Sequence, residues 1–195
     1  MNLDVTKIKE ELDTSFLCRN IIYYKEIDST QDEAKRIVNN VQDGTYIITD
    51  KQTQGKGTHD RKWYDKGFEN ICGTFILKPN CHISKLKNLT IMIAECIVET
   101  IKNLYNISLQ IKYPNDVMCN SKKIVGILTE SVTNKEIVQY VFVGIGINVN
   151  QTIFQPEIQN IATSLKKEYK KEFDREEIIS EFFNIFERRY INMIK

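Results

Sequence analysis

The stretch 112–130 holds the side chains best suited to chemistry, because two apolar, β-rich runs flank a polar Asn-Ser-Lys tip in the pattern of a hairpin. Pro114 and the Asn115-Asp116 pair after it predict a polar corner at the start of a strand. Lys123 follows the tip and precedes an apolar run, so buried neighbours should hold its stem while its ammonium points into a cleft. Lys123 is therefore a candidate anion clamp, with a solvated hairpin lysine as the alternative.

The segment 50–67, called here the glycine-lysine loop, is the second candidate. It is long and polar and lacks apolar periodicity, and such loops usually carry function or are disordered. Gly55 and Gly57 expose backbone N–H groups, the neighbouring cationic side chains can neutralise phosphate, and Trp63 could stack on a base. Taken alone, a loop of this composition is more often only solvated. We expect residues 52–67 to be mobile in the free protein and ordered by ligand.

The predicted strands and helices must position these two segments. The predicted strands span 21–24, 46–49, 71–77 and 137–150, and the predicted helices lie within 2–20, from a cap near Ser29 to Gly44, from about 84 to 105, and from 174 to 193. The strand at 137–150 is too apolar to be an edge, and its Gly144 and Gly146 predict that another group approaches the backbone. The pattern indicates an α+β fold: a mixed, mostly antiparallel sheet with helices packed on one side.

Length and composition are those of one ordinary globular domain over residues 1–195, with 42% hydrophobic side chains. The formal net charge of +1 supplies no overall field that would attract nucleic acid or an anionic membrane, so an anion site must be local. No run approaches about 18 apolar residues, the N-terminus has no signal-like core, and the five cysteines form no C-x-x-C pair. We therefore expect a reduced, cytoplasmic protein. Two histidines without clustered cysteines do not favour zinc.

Considered together and in order, these motifs resemble those of biotin protein ligases, which join biotin to a lysine of a carrier protein. The matching segments, which cover roughly residues 25–165, are Ser29-Thr30-Gln31, Gln52-Thr53-Gln54-Gly55-Lys56-Gly57, Arg61-Lys62-Trp63, Lys112-Tyr113-Pro114-Asn115-Asp116-Val117, Lys123-x-x-Gly126-Ile127-Leu128-x-Glu130 and Gly144-Ile145-Gly146-Ile147-Asn148. The resemblance implies a core similar to class II aminoacyl-tRNA synthetases. It also implies two steps: the biotin carboxylate attacks the α-phosphate of ATP, and the biotinyl-adenylate then acylates the carrier lysine.

The same resemblance implies roles for the residues at the matched positions. Lys123 would bridge the biotin carboxylate and the α-phosphate, and Arg61 would be the second catalytic residue. The implied biotin-binding residues are Ser29, Thr30, Gln31, Gln52, Gly55, Lys56, Gly57, Thr58, Lys123 and Gly126. The implied ATP-binding residues are Lys56, Arg61, Trp63, Asn115 and Asn148, with Mg²⁺ accompanying ATP and Asp116 as its candidate ligand. Simpler interpretations are an N-cap for Ser29 and turn chemistry for Asn115 and Asp116.

The chain departs from the common family pattern at three places. Relatives commonly carry Arg-Gly-Arg where it has Lys56-Gly57-Thr58, Gly or Asn where it has Asp60, and Trp where it has Tyr113. Lys56 keeps the charge of an arginine without its bidentate geometry. Thr58 has neither the charge of an arginine nor its bidentate geometry.

Many relatives also carry an N-terminal DNA-binding helix-turn-helix domain and a small C-terminal β-barrel, and we expect neither in residues 1–195. The expected partner is a biotin carboxyl carrier protein domain, with no DNA and no membrane, and the expected assembly is a monomer or a homodimer. Two other function classes stay open: a lipoate ligase or other acyl-adenylate enzyme of the same superfamily, and a non-catalytic biotin- or nucleotide-binding protein. Biotin-dependent release of pyrophosphate from ATP separates the three.

Overall fold

The computed structural model describes residues 2–59 and 61–195. The strands in this part of the chain are β1 (Ile21–Tyr24), β2 (Tyr46–Thr49), β3 (Ile71–Leu77), β4 (Cys81–His82), β5 (Gln110–Lys112), β6 (Asp116–Cys119), β7 (Lys122–Asn134) and β8 (Ile137–Ile147). The helices are α1 (Val5–Glu11), α2 (Thr30–Ile37), α3 (Leu89–Tyr105), α4 (Leu165–Tyr169) and α5 (Arg175–Ile194), and two 3₁₀ turns lie at Val38–Asn40 and Ile83–Leu86.

These strands form one mixed sheet in the order β1-β2-β3-β8-β7-β6-β5, with β4 paired to one end of β8. β1 and β2 are parallel, and the other pairs among the described strands are antiparallel. The predicted mixed, mostly antiparallel sheet is confirmed. β8 lies between β3 and β7, as its apolar sequence predicted, because a strand covered on both faces reads as a nearly continuous apolar run.

Helices pack on both faces of the sheet, so the prediction of helices on one side was wrong. α1, α3 and α5 contribute to the larger core, which packs on the face that carries Tyr46 and Ile48 of β2. α2 packs on the opposite face, where Ala34 belongs to a smaller cluster with Ile47 and Phe142. Alternate residues of a strand point to opposite faces, and all residues of β2 and β3 are buried, so both faces need cover. The face that carries α2 is called the α2 face below.

Three element boundaries differ from the sequence prediction. α2 ends at Ile37 and does not reach Gly44, whose φ of +78° instead suits the turn into β2. The helix predicted from about residue 84 is a 3₁₀ turn followed by α3, which begins at Leu89. β8 ends at Ile147 and not at residue 150. Within residues 2–59 and 61–195, no helix combines the length and apolar composition that a bilayer span requires.

The chain ahead of β1 is held against α5 by Glu187, a buried carboxylate. Its oxygens accept hydrogen bonds from the backbone N–H groups of Ser15, of Phe16 at 3.1 Å and of Leu17 at 2.8 Å. Burial acts to raise the pKa of Glu187, but these hydrogen bonds outweigh burial, and the pKa lies below its ordinary value. An ionised Glu187 therefore stabilises the contact between the N-terminal segment and the closing helix.

Candidate functional site

The candidate pocket lies on the α2 face, above the middle of β7 and β8. Its floor is formed where Gly126 of β7 pairs with Gly146 of β8, beside Gly144. Because these positions lack side chains, groups from the start of α2 and from the glycine-lysine loop can approach the sheet closely. The pocket is therefore enclosed by the sheet, α2 and the loop.

Four uncharged side chains in the pocket form a hydrogen-bonded group called here the polar recess: Thr30, Gln31, Gln52 and Thr74. Thr30 Oγ1 lies 2.9 Å from Thr74 Oγ1 and donates to Gln52 Oε1 at 3.1 Å, and the Thr30 backbone N–H donates to the same Oε1 at 2.9 Å. Thr74 donates to Gln31 Oε1 at 3.1 Å. Thr30, Gln31 and Thr74 are at most 3% exposed. The recess therefore offers fixed donors and acceptors to a ligand.

Glu130 of β7 lies behind the polar recess and binds Gln31. Its Oε2 accepts hydrogen bonds from Gln31 Nε2 and from Lys35 Nζ, both at 2.8 Å. Burial acts to raise the pKa of Glu130, but the bonds from Lys35 and Gln31 outweigh burial and hold the pKa below its ordinary value. Glu130 is therefore ionised at neutral pH.

Residues 55–57 and 61–63 of the glycine-lysine loop pair as the two arms of a hairpin. The Trp63 N–H donates to the Gly55 carbonyl at 2.9 Å. Asp65 closes the base of the hairpin, because its Oδ2 accepts from the backbone N–H of Gln52 at 3.3 Å. Gln52 is thereby held where its side chain meets the start of α2. Mobility of the loop in the free protein stays a prediction.

Trp63 covers the glycine floor. A Cβ placed on Gly146 would come within 2.3 Å of its ring, and a Cβ on Gly126 within 2.8 Å, so side chains at these positions would displace the indole. At Gly144 the corresponding neighbour is Gln31 Oε1, at 2.7 Å. The predicted approach of other groups to Gly144 and Gly146 is confirmed. The Trp63 Nε1 is buried and has no hydrogen-bond partner of normal geometry among the described residues.

Lys123, near the start of β7, lines the same pocket. Its Nζ lies 2.6 Å from Asp116 Oδ1 and 6.0 Å from the centroid of the Trp63 ring. Its backbone N–H donates to the Ile161 carbonyl at 2.8 Å, and its carbonyl accepts from the Thr163 N–H at 2.9 Å. Both the sheet and the segment 161–163 therefore fix the backbone of Lys123, while its ammonium stays at the pocket.

Two cations of the glycine-lysine loop lie at the pocket mouth. Lys56 lines the pocket, and its Nζ pairs with Asp32 of α2 at 2.6 Å. Arg61 lines an adjoining cleft and donates from Nε and Nη2 to the carbonyl and hydroxyl of Thr58, at 3.1 and 2.8 Å. Both cations are exposed and can exchange these partners for an anionic ligand. Thr58, although uncharged, thus holds a guanidinium beside the pocket.

Most of the predicted site residues meet around this pocket. Those that line it are Thr30, Gln31, Gln52, Lys56, Gly57, Thr58, Trp63, Asn115, Lys123 and Gly126. Gly55 and Arg61 line the adjoining cleft. Ser29 and Asn148 are buried outside both linings: Ser29 Oγ caps α2 by accepting from the Asp32 N–H at 3.3 Å, and Asn148 follows β8. For Ser29 this is the simpler N-cap arrangement, and the ligands assigned to all these residues stay predictions.

The departures from the family pattern are distributed around the site. Thr58 is at the pocket mouth, whereas Tyr113 is 67% exposed and outside both linings. The departure at Asp60 lies outside the described residues. Of Thr58 and Tyr113, Thr58 therefore has the more direct structural connection to the pocket.

Sequence reasoning gave Thr74 and Glu130 no role in the site. Thr74 is the one hydroxyl-bearing residue of β3, whose residues are all buried, and a buried polar group needs a partner on a neighbouring element. That isolated hydroxyl was a usable signal. Glu130 stands four residues after Gly126 on the same strand, so the two-residue alternation of strands places it on the α2 face. Its partner on α2 could not be read from that alternation.

A resident metal ion does not fit the described residues. In residues 2–59 and 61–195, no three His, Cys, Asp or Glu side chains lie close enough together to hold one. Asp116, the candidate Mg²⁺ ligand, already accepts from Lys123 Nζ and from Asn115 Nδ2 at 3.2 Å. Mg²⁺ usually binds through one or two carboxylates together with substrate phosphates, so Asp116 stays a predicted ligand of an ion that arrives with ATP.

Comparisons with known sequences give a consistent set of relatives. Residues 23–148 match the biotin/lipoate A/B protein ligase family. The bifunctional ligase/repressor BirA of Bacillus subtilis is 37% identical over 191 residues, which are 96% of this chain and 59% of that protein. The biotin–[acetyl-CoA-carboxylase] ligase of Paracoccus denitrificans is 32% identical over 124 residues, 63% of this chain and 51% of that protein. The chain therefore spans less than two thirds of the length of these relatives.

Solved structures of similar fold carry related names. The biotin protein ligase from Aquifex aeolicus, in complex with biotin and ATP, has a TM-score of 0.72 and 33% sequence identity, covering 90% of this chain and 70% of that one. The biotin protein ligase from Leishmania major, in complex with biotinyl-5-AMP, has a TM-score of 0.74 at 21% identity, covering 89% of this chain and 76% of that one. At that lower identity, the second likeness shows the fold alone.

Proposed function

Because this chain belongs to the biotin/lipoate A/B protein ligase family, we propose that it is an ATP-dependent ligase that activates biotin as biotinyl-adenylate and transfers it to a lysine of a biotin carboxyl carrier protein domain. One observation carries the proposal: a single pocket joins the buried polar recess, the ammonium of Lys123 and the cationic glycine-lysine loop. Biotin has a polar ring at one end and a carboxylate at the other. Its groups therefore match the distribution of partners in the pocket.

In the first step, a carboxylate oxygen of biotin attacks the α-phosphorus of ATP. The new O–P bond forms as the bond to the bridging oxygen breaks, and pyrophosphate leaves with the electron pair. Two anions must approach each other, and preorganised cations lower that barrier. Lys123 is held by its backbone at the pocket, so it would exchange Asp116 for the carboxylate and the α-phosphate. Lys56 and Arg61 would neutralise phosphate oxygens, and Trp63 would face the adenine.

In the second step, the uncharged ε-amine of the carrier lysine attacks the acyl carbon of biotinyl-adenylate. The C–N bond forms, the bond from the acyl carbon to the phosphate oxygen breaks, AMP leaves with the electron pair, and the amine proton passes to solvent. Positioning of the two reactants is sufficient for this transfer, without a covalent enzyme intermediate. The carrier is proposed by analogy with the Paracoccus relative, whose name gives acetyl-CoA carboxylase as the protein it modifies.

The polar recess favours biotin over lipoate. The ureido ring of biotin supplies a carbonyl acceptor and two N–H donors, which can pair with the threonine and glutamine side chains of the recess. The dithiolane ring of lipoate has no comparable donor or acceptor. Burying it in the recess would leave polar groups unpaired, at a cost of about 1–3 kcal/mol for each group.

The remaining properties expected from the sequence stay part of this proposal: a cytoplasmic location, a monomer or homodimer, and no DNA partner. The Bacillus subtilis relative is named a ligase/repressor, and the repressor function in that name is not proposed for this chain. Mg²⁺ is proposed only as the ion that accompanies ATP.

The test is pyrophosphate release from ATP with biotin, with lipoate and without an added acid. We expect release with biotin alone, followed by labelling of a carrier domain and not of the same domain with its acceptor lysine replaced by arginine. Release with lipoate in place of biotin would identify a lipoate ligase instead. Binding of biotin in a calorimeter without any release would identify a non-catalytic binding protein.

A further inference from the structure

Glu130 fixes the orientation of the buried Gln31 amide. An ionised carboxylate accepts hydrogen bonds and donates none, and Glu130 Oε2 accepts one from Gln31 Nε2 at 2.8 Å. Nε2 also donates to the Phe142 carbonyl at 3.3 Å, a second group that only accepts. Gln31 Oε1 must therefore point the other way, where Thr74 lies at 3.1 Å.

The fixed amide determines where the protons lie further along the polar recess. The single hydroxyl proton of Thr74 is committed to Gln31 Oε1, so Thr74 Oγ1 can only accept from Thr30, 2.9 Å away. Thr74 therefore takes the single proton of Thr30 at 2.9 Å and shares it with Gln52 Oε1 at 3.1 Å, so Thr30 can meet a ligand only as an acceptor. Gln52 Oε1 is already bound by the Thr30 N–H, which leaves Gln52 Nε2 as a donor for the ligand.

We propose that Glu130 is a positioning residue that sets the direction of hydrogen bonding in the polar recess and thereby selects a cyclic urea as the ligand. Through Gln31 and Thr74, it makes Thr30 an acceptor, while Gln52 presents a donor. This pair matches the adjacent N–H donor and carbonyl acceptor of a ureido ring. The inference rests on the proposed function, because biotin is the cyclic urea in question, and it names a group that determines selectivity for it.

Lys35 binds the same carboxylate but lies outside this relay. Its Nζ is 2.8 Å from Glu130 Oε2, and both side chains are 39% exposed. Exposed ion pairs contribute little, and the hydrogen bond that orients the Gln31 amide comes from Glu130. The relay requires a carboxylate at position 130, because a carboxylate only accepts, and it does not require the ion pair.

The test compares Glu130→Gln with Thr74→Val and with the double variant. Glu130→Gln keeps the shape of the side chain but adds a hydrogen-bond donor, so the Gln31 amide can rotate by about 180°. Thr74→Val keeps the shape of the side chain but removes the hydroxyl proton that Thr74 donates to Gln31. In pyrophosphate release we expect each single variant to raise the KM for biotin about tenfold. The KM for ATP and the kcat at saturating biotin should change less than about threefold. Because both changes interrupt one relay, the double variant should resemble the weaker-binding single variant.

Two controls separate the relay from general damage. Lys35→Gln removes the ion pair, and Glu136→Gln makes the same chemical change at an exposed carboxylate between β7 and β8. Both should keep the KM for biotin within about twofold of the wild type. A rise in the KM for ATP as large as the rise in the KM for biotin in Glu130→Gln would indicate a packing defect and overturn the inference.

The possible results distinguish this inference from the function on which it rests. A wild-type protein that neither binds biotin nor releases pyrophosphate with it overturns both. If the wild type is active and Glu130→Gln keeps its KM for biotin, only the role of Glu130 is overturned. If the fold increases in the KM for biotin of the two single variants multiply in the double variant, Glu130 and Thr74 act independently and the relay is overturned. Should Glu130→Gln fail to fold, Thr74→Val with an unchanged KM for biotin overturns the relay by itself.

Discussion

Replacement of Lys123 by methionine removes the ammonium and keeps the length and apolar stem of the side chain. The Nζ lies 2.6 Å from Asp116 Oδ1, and the two side chains are only 29% and 18% exposed, so the charge acts where water is partly excluded. A preorganised group that meets charge developing in a transition state contributes about 2.7–4 kcal/mol. We therefore expect Lys123→Met to slow adenylate formation about 10²- to 10³-fold.

The same substitution should leave the protein folded and able to bind biotin. Asp116 loses its cation but keeps the hydrogen bond from Asn115 Nδ2 at 3.2 Å. Ion pairs that water can still reach contribute about 1 kcal/mol or less, against a total stability of about 5–15 kcal/mol for a typical domain. The ureido ring is proposed to bind in the polar recess and not at Lys123. The Kd for biotin should therefore change far less than the rate.

Single-turnover release of pyrophosphate measures the rate, and calorimetry with biotin alone measures the affinity. Lys122→Met is the matched control, because Lys122 is the preceding lysine of the same strand and does not line the pocket. It should release pyrophosphate within about twofold of the wild-type rate. A Lys123→Met protein that binds biotin and stays within about threefold of the wild-type rate would refute the assignment of Lys123 as the bridging cation.

Four further predictions concern the loop, the floor and the core. Protease cleavage within residues 52–67 should be suppressed by biotin plus ATP, and equal cleavage with and without ligands would contradict closure of the loop. Thr58→Arg should retain biotinyl-adenylate about ten- to a hundred-fold better, because a charge-assisted bond contributes about 1.5–3 kcal/mol. Mass spectrometry of a bystander protein, in a mixture without carrier, should therefore show less biotin labelling by the variant than by the natural sequence. Equally weak labelling by both proteins would contradict this prediction. Gly146→Ala should displace the only tryptophan and shift its fluorescence to longer wavelength, since the new Cβ would lie 2.3 Å from the ring; an unchanged spectrum would refute the contact. Glu187→Gln should lower the free energy of unfolding by about 1–3 kcal/mol at neutral pH. Because the pKa of Glu187 in the folded protein is depressed, the difference in free energy of unfolding should be complete above pH 4.5, the ordinary pKa of a glutamate. The difference should shrink as the pH falls through the folded pKa. Urea unfolding that gives the same difference in strong acid would contradict this prediction.

Features that depend on local sequence pattern could be predicted before the structure was known. The apolar composition of 137–150 predicted a central strand, and β8 is central because such a strand must be covered on both faces. Gly146 predicted a close approach to the backbone, since a glycine in a strand interior leaves that space open. The ordered motifs also predicted the family and most of the residues that line the pocket.

Tertiary structure alone decided which groups are partners across the sheet. Gln31 and Glu130 are 99 positions apart, and they meet because α2 packs on the α2 face, where β7 presents Glu130. The pairing of Lys123 with Asp116 likewise depends on the register of two strands. Periodicity tells which face of its own element a residue occupies, but not which distant element covers that face or in what register. The motifs could therefore be read from the chain, whereas the hydrogen-bonded relay that orients them required the packed structure.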